Sequence, residues 1–290
     1  MTQVLNQIFA GLAAGGIYAS LALALVMIYR ATQLVNFAQG EMAMFSTYLA
    51  WAMINAGVAY WVAFFLTVAI SFLLGMAIQY FVLQRIRGQP VLALVVVFIG
   101  LLVIFNSLAG WIFTYTIKVF PSPFPSEPPF GQHFISAHEL GATLITLVLI
   151  GLLWAFFRFT PLGLAMRAVA QNPISSRLVG IRVGQMLALG WGLAAAIGSI
   201  AGMMVAPIVF LDPNMMSGIL IYAFAGALLG GIDSPGGAVF GGFLVGVLEN
   251  LLGAFVVGSE IKLVVALVLI VGVLLVKPSG IFGSVHVTRV

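Results

Sequence analysis

Nine long, continuously apolar stretches divide this chain, and they constrain its fold more than any single motif does. A helix needs about 20 residues to cross the ~30 Å hydrocarbon core of a bilayer. On that measure crossings are expected near 5–29, 36–55, 60–83, 90–114, 140–157, 187–211, 215–232, 236–257 and 261–276. Only 6% of the residues are charged and 63% are hydrophobic, with a mean hydropathy of +1.22. A soluble domain carries about 25% charged residues, so no soluble fold could hide this much apolar surface. In lipid every backbone polar group must bond within the protein, which leaves helix bundles and closed barrels. Barrel strands alternate apolar and polar positions, whereas these stretches do not. The expected class is therefore all-α: one polytopic transmembrane bundle of 8–9 spans over residues 1–290. The pair 215–232 and 236–257 is joined by DSPGG, which reads either as a turn or as a re-entrant break. The N-terminal MTQVLNQIFAGL has no basic region ahead of its apolar run, so that run reads as a permanent span.

Basic residues give the orientation, because Lys and Arg concentrate in cytoplasmic loops. With the N-terminus outside and nine crossings, Arg30, Arg85, Arg87, Arg158, Arg167, Arg177, Arg182, Lys277 and Arg289 face the cytoplasm. Only Lys118 and Lys262 fall outside. The net charge of +4 is thus a property of loops, with no basic tail of the kind that binds nucleic acid.

Two connectors are long. Residues 115–139 (YTIKVFPSPFPSEPPFGQHFISAHE) are rich in proline and aromatics, favour extended or turn structure, and are expected on the extracytoplasmic side. They suit either a cover over a pathway or a plain surface link. Residues 158–186 carry four arginines and are expected on the cytoplasmic side. Pro161 and Pro173 each suit the first turn of a short helix, and Gly180 suits a helix end. A faint similarity between NFAQGEMAMFSTYLA (36–50) and DSPGGAVFGGFLVGV (233–247) suggests an internal repeat of the kind transporters often contain.

Motifs of catalysis are missing from the sequence. There is no cysteine, no HExxH pattern around His133, His138 or His286, and no GxxxxGK[ST] phosphate loop. No cofactor or metal is expected. Glycines recur in the spans, as with Gly11, Gly15 and Gly16, Gly226 and Gly230, and Gly241, Gly242 and Gly246. They are read chiefly as close-packing positions. Trp51, Trp61, Trp111, Trp154 and Trp191 lie near expected span ends and are read as an interfacial belt. Asp212 and Asp233 are read as turn formers.

Ionisable residues inside spans are costly, so each is a candidate for function. Glu249 lies inside 236–257 and suits a pathway, an inter-subunit contact or a hydrogen-bonded structural role. Glu41 follows NFAQG at a helix start, where it suits the helix N-terminus or a substrate contact. Asn36 suits the N-cap of that helix, and Gln39 joins Asn36, Glu41 and Glu249 as a candidate pathway residue.

Four blocks in order resemble the permeases of branched-chain amino-acid ABC importers, nearest the LivH-like branch. They are GGIYASLALALVMIYRATQLVNFAQGEMAMFSTYLAW (15–51), RAVAQNPISSRLVGIRV (167–183), GALLGGIDSPGGAVFGGFLVGVLE (226–249) and KPSGIFG (277–283). The resemblance implies a type II-like importer bundle in a bacterial inner membrane. It also implies a second homologous permease, identical or not, two cytoplasmic ATPase subunits and an extracytoplasmic substrate-binding protein. Residues 158–186 would be the ATPase coupling loop, with Arg167, Gln171, Asn172, Arg177 and Gly180 as candidate contacts. Transport would proceed by alternating access, with ATP hydrolysed on the partners and not on this chain. The cargo implied is a branched-chain or related small amino acid, with urea, short amides and aromatic acids as alternatives. Two other classes compete. An ATP-independent transporter or channel would need an ion relay, for which the spans offer only Glu249 and Glu41. A membrane enzyme would gather His, Asp or Glu at one interface, and the sequence shows no such cluster.

Overall fold

The structure is a computed structural model that describes residues 2–32, 35–86, 88–125, 136–258 and 261–283. The expectations placed on Arg87, His133, His286 and Arg289, and on 126–135 of the outer connector, lie outside the described residues. In chain order the helices are α1 (Thr2–Thr32), α2 (Gln39–Asn55), α3 (Tyr60–Ile78), α4 (Val91–Phe113), α5 (Ala137–Phe159), α6 (Pro161–Gln171), α7 (Pro173–Leu178), α8 (Val183–Val209), α9 (Met216–Gly230), α10 (Pro235–Leu252) and α11 (Lys262–Val276). A π-helical turn extends α3 through Gln79–Leu83, and another extends α10 through Gly253–Val257.

Each of the nine expected apolar stretches is helical. Six helices are long and apolar enough to cross a membrane: α1, α3, α4, α5, α8 and α10. The 15-residue helices α9 and α11 and the 17-residue α2 fall short of that measure. At ~1.5 Å per residue a 15-residue helix rises only about 22 Å. Length and composition thus establish a multi-span helical bundle, in which six of the expected 8–9 crossings meet that measure among the described residues.

The chain divides into two compact units, 1–26 with 122–146 and 217–290, and 27–121 with 147–216. In the first, glycine lets backbones meet. A methyl group on Gly11 would lie 2.7 Å from Val247 Cα, one on Gly15 2.8 Å from Phe243 Cα, and one on Gly226 2.7 Å from Gly242 Cα. These contacts run α1 antiparallel to α10 and seat α9 beside them, with Ala22, Val26, Ala227 and Ala238 as a buried cluster. Because lipid tails are as apolar as the side chains, such close packing supplies attraction that the hydrophobic effect does not.

DSPGG is a turn between two helices. Gly231 takes φ +115, Ser234 caps α10 by accepting from the Gly237 N–H at 3.1 Å, and Pro235 fills the first helical position. The C-terminal KPSGIFG folds onto this turn. Ile281 and Phe282 donate backbone hydrogen bonds to the Leu229 and Gly230 carbonyls, which α9 leaves free at its end. Gly280 has φ +74, and a methyl there would lie 2.6 Å from Gly231 Cα.

In the second unit α8 is the centre, packed by α2, α3 and α6, and buried along most of its length. Its Gly198 and Gly202 leave room for the Gln39 amide and the Ala43 carbonyl of α2. Trp191 is fully buried in α8 and stacks on Phe98 with ring centroids 5.8 Å apart. It is therefore a core residue, which corrects its placement in an interfacial belt. Trp61, Trp111 and Trp154 are exposed. Trp51 donates to the Val119 carbonyl at 3.2 Å and carries the Lys118 ammonium over its ring at 5.0 Å. The connector that follows α4 is further tied by paired backbone hydrogen bonds of 2.9 Å between Lys118 and Leu211.

Candidate functional site

The 158–186 segment folds as its punctuation predicts, except that 158–159 still belong to α5 and 183–186 already belong to α8. Thr160 caps α6 by accepting from the Gly163 N–H at 3.0 Å, with Pro161 in the first helical position. Asn172 caps α7 by accepting from the Ile174 and Ser175 N–H groups at 3.0 and 2.9 Å, with Pro173 likewise placed. Gly180 ends the segment at φ +86, a conformation that a side chain would resist. One face of α6 is fixed to the start of α8 through Val169, Val183, Met186 and Leu187.

The five candidate coupling residues separate by environment. Asn172 and Gly180 shape the backbone, Arg167 is half-buried with its Nε lacking a partner, and Gln171 and Arg177 are exposed. Composition alone did not single out the three residues that surround Arg177. Ile174, Leu178 and Val179 are 74%, 84% and 76% exposed, so α7 presents an apolar ridge with an arginine on it.

Asn36, Gln39 and Glu41 are all buried in the second unit. Asn36 is not the helix cap. Its Oδ1 accepts from the Ala38 N–H at 3.1 Å, which turns the chain before α2, and Ala38 takes the cap position. Its Nδ2 donates to Gln39 Oε1 at 3.3 Å, and Gln39 Nε2 donates to the Ala194 carbonyl of α8 at 2.9 Å. Asn36 and Gln39 thus form one chain of hydrogen bonds tying the start of α2 to α8. Glu41 sits in the first turn of α2, as expected for an acid near a helix N-terminus, and accepts from Asn106 Nδ2 at 3.4 Å. The same Asn106 nitrogen lies 2.8 Å from the Pro213 carbonyl and 3.2 Å from Asn214 Oδ1.

Glu249 belongs to the first unit. It is 7% exposed, accepts from the Tyr18 hydroxyl at 2.8 Å, and lies 3.6 Å from the Lys262 ammonium. Tyr18 stacks on Tyr222 with centroids 5.0 Å apart. Sequence reading used Lys262 only for orientation, since a lone lysine at a helix start gives no sign of its partner. Among the described residues no cluster of three or more His, Cys, Asp or Glu could hold a metal.

Known proteins agree with this architecture. The sequence pattern described as "Branched-chain amino acid transport system / permease component" matches residues 7–274. The chain belongs to that family. Its relatives include the high-affinity branched-chain amino acid transport system permease protein BraD of Pseudomonas aeruginosa, 29% identical over 99% of this chain and 98% of that one. LivH of Escherichia coli is 28% identical over 99% of this chain and 97% of that protein, and the probable LivH of Methanocaldococcus jannaschii is 27% identical over 91% and 87%. In fold, the chain matches PsaBC from Streptococcus pneumoniae, solved in complex with Fab, with a TM-score of 0.51 at 12% identity over 93% of this chain and 91% of that one. This permease is therefore a transport subunit, and its apolar helices suit a multi-pass membrane protein.

Proposed function

We propose that this permease is one of two membrane-spanning subunits in an ATP-driven importer of branched-chain or related small amino acids. Family membership over nearly the whole chain supports the transport role, and the names of BraD and LivH point to the cargo. The observation that carries the ATP-driven reading is the α7 ridge. A capped helix of one and a half turns, held by α6 against α8, displays Ile174, Leu178 and Val179 around Arg177. An apolar ridge carrying a cation suits a protein groove with acidic walls better than it suits lipid.

In this reading two cytoplasmic ATPase subunits each receive a loop of this kind. One loop comes from this chain and one from a second homologous permease. Arg167, Gln171 and Arg177 meet the ATPase, while Asn172 and Gly180 hold the shape that lets them do so. The N-terminus lies outside and the C-terminus in the cytoplasm, so residues 115–139 face the side where a soluble binding protein delivers cargo. ATP closes the ATPases, the loops move, and the helices change from outward to inward opening. Uphill transport requires the two states to hold cargo with different affinity.

The test is reconstitution of the chain with its neighbouring permease, ATPases and binding protein in proteoliposomes. Leucine uptake should require ATP. Reversing charge at both Arg167 and Arg177 (R167E with R177E) should abolish ATPase co-purification while membrane insertion stays normal. Unchanged pull-down and unchanged uptake in that double variant would sink the docking claim, and uptake without ATP would favour a secondary transporter.

A further inference from the structure

Glu249 and Lys262 form an ion pair where ions are expensive. Glu249 lies about 12 Å, at ~1.5 Å per residue, inside the end of the extended α10 at Val257. Lysines near helix ends normally extend outward to the interface. Lys262 does the opposite. It begins α11, lays its stem over Gly253, where a methyl group would come within 2.8 Å of Lys262 Cγ, and brings its ammonium to Glu249. Gly253 is the gap that admits it.

The pair is loose and reachable. Its 3.6 Å separation exceeds a tight charge-assisted hydrogen bond of about 2.7–2.9 Å, and the Lys262 side chain is 28% exposed. The carboxylate is oriented from its other oxygen by the Tyr18 hydroxyl, and Tyr18 is braced by Tyr222. Directly after Gly253, Ala254 and Phe255 line a cavity of about 250 Å³ together with Gln3, Asn6 and Gln7. Asn6 Oδ1 is buried there without a hydrogen-bond partner. All these residues belong to one compact unit.

A buried ion pair contributes little net stability compared with well-packed apolar residues, so packing alone gives weak reason for one here. A zwitterion gives a better one. Its ammonium can take Glu249 and its carboxylate can take Lys262, which exchanges one internal pair for two without leaving a charge unpaired. An anion or a cation alone would strand one member of the pair at a cost. We propose that Glu249 and Lys262, with Tyr18 positioning the carboxylate, form a subsite for the charged head group of a zwitterionic amino acid, with the amide-lined cavity that begins at Ala254 as its approach. This rests on the importer reading above and names the residues that would recognise its cargo.

Two measurements test it. The cysteine-free chain allows a single cysteine at Ala254 (A254C), with both charges intact, in the assembled transporter. Leucine should slow maleimide labelling at least fivefold. 4-Methylpentanoate, which lacks the amine, and 3-methylbutylamine, which lacks the carboxylate, should not. Equal protection by all three, or by none, overturns the subsite. In proteoliposomes, E249Q and the double variant E249Q/K262M should lower leucine moved per ATP hydrolysed at least tenfold. The double variant leaves no charge unpaired, so a merely structural pair would give a wild-type ratio, and that result also overturns the proposal. A wild-type complex that hydrolyses ATP without moving leucine refutes the importer reading itself, and the subsite falls with it.

Discussion

At the scale of single residues, glycine in this bundle has two different meanings. Gly226 and Gly100 both sit inside apolar helices, yet a methyl group on Gly226 would lie 2.7 Å from Gly242 Cα, whereas one on Gly100 would meet nothing within 4 Å. Gly226→Val should therefore destabilise the protein by about 1–3 kcal/mol through overpacking, read as a lower Tm in detergent. Gly100→Ala should leave Tm unchanged or raise it slightly, because alanine favours helix by ~1 kcal/mol over glycine. Polar residues divide in the same way. Gln39 bonds to both its own turn and α8, so Gln39→Leu should loosen the start of α2 by about 1 kcal/mol, seen as faster amide exchange over 39–43.

Among the elements, α6 and α7 depend most on local chemistry. A helix of 6 residues cannot nucleate by propensity alone, so α7 relies on its cap, on Pro173 and on α6 behind it. Asn172→Ala removes the acceptor for two N–H groups and should cost about 1 kcal/mol. The expected outcome is faster amide exchange confined to 173–180 and weaker ATPase co-purification with every exposed contact residue still present. Exchange unchanged across 173–180 would show that α7 does not depend on its cap. The same logic separates shape from contact in the loop: Arg177 substitutions should weaken docking without loosening the helix.

For the whole molecule, the consequence of the basic-residue distribution is an orientation. Single cysteines replacing Lys118 and Arg177 should react with an impermeant maleimide from opposite sides of the membrane, Lys118→Cys from outside and Arg177→Cys only in inverted vesicles. Labelling of both from one side would overturn the orientation. The 15-residue α9 and α11 bear on how many crossings separate those positions from the C-terminus. The turn at DSPGG and the C-terminal KPSGIFG, far apart in sequence, close on one another through the Leu229 and Gly230 carbonyls. Two of the blocks that carry the family resemblance are thus one tertiary feature.

Helical class, helix positions to within a few residues, and the two short helices α6 and α7, though not their Thr160 and Asn172 caps, were legible in the residues alone. Each of these is set by local terms: hydrophobic run length, proline at a first turn, an Asn or Thr side chain reaching N–H groups two or three residues on. What each buried polar group meets depends on the packing of helices distant in sequence. Glu249 and Lys262 lie on either side of a π-helical turn, and their pairing depends on how α10 and α11 pack and on a glycine between them. Trp191 lies near an expected helix end by sequence, yet neighbouring helices bury it completely. Asn36 missed the cap because its side chain makes a turn first, and only the path of the chain reveals that. Helix formation is a matter of residues within four of each other. The cost of a buried charge is settled by residues that arrive from elsewhere in the chain.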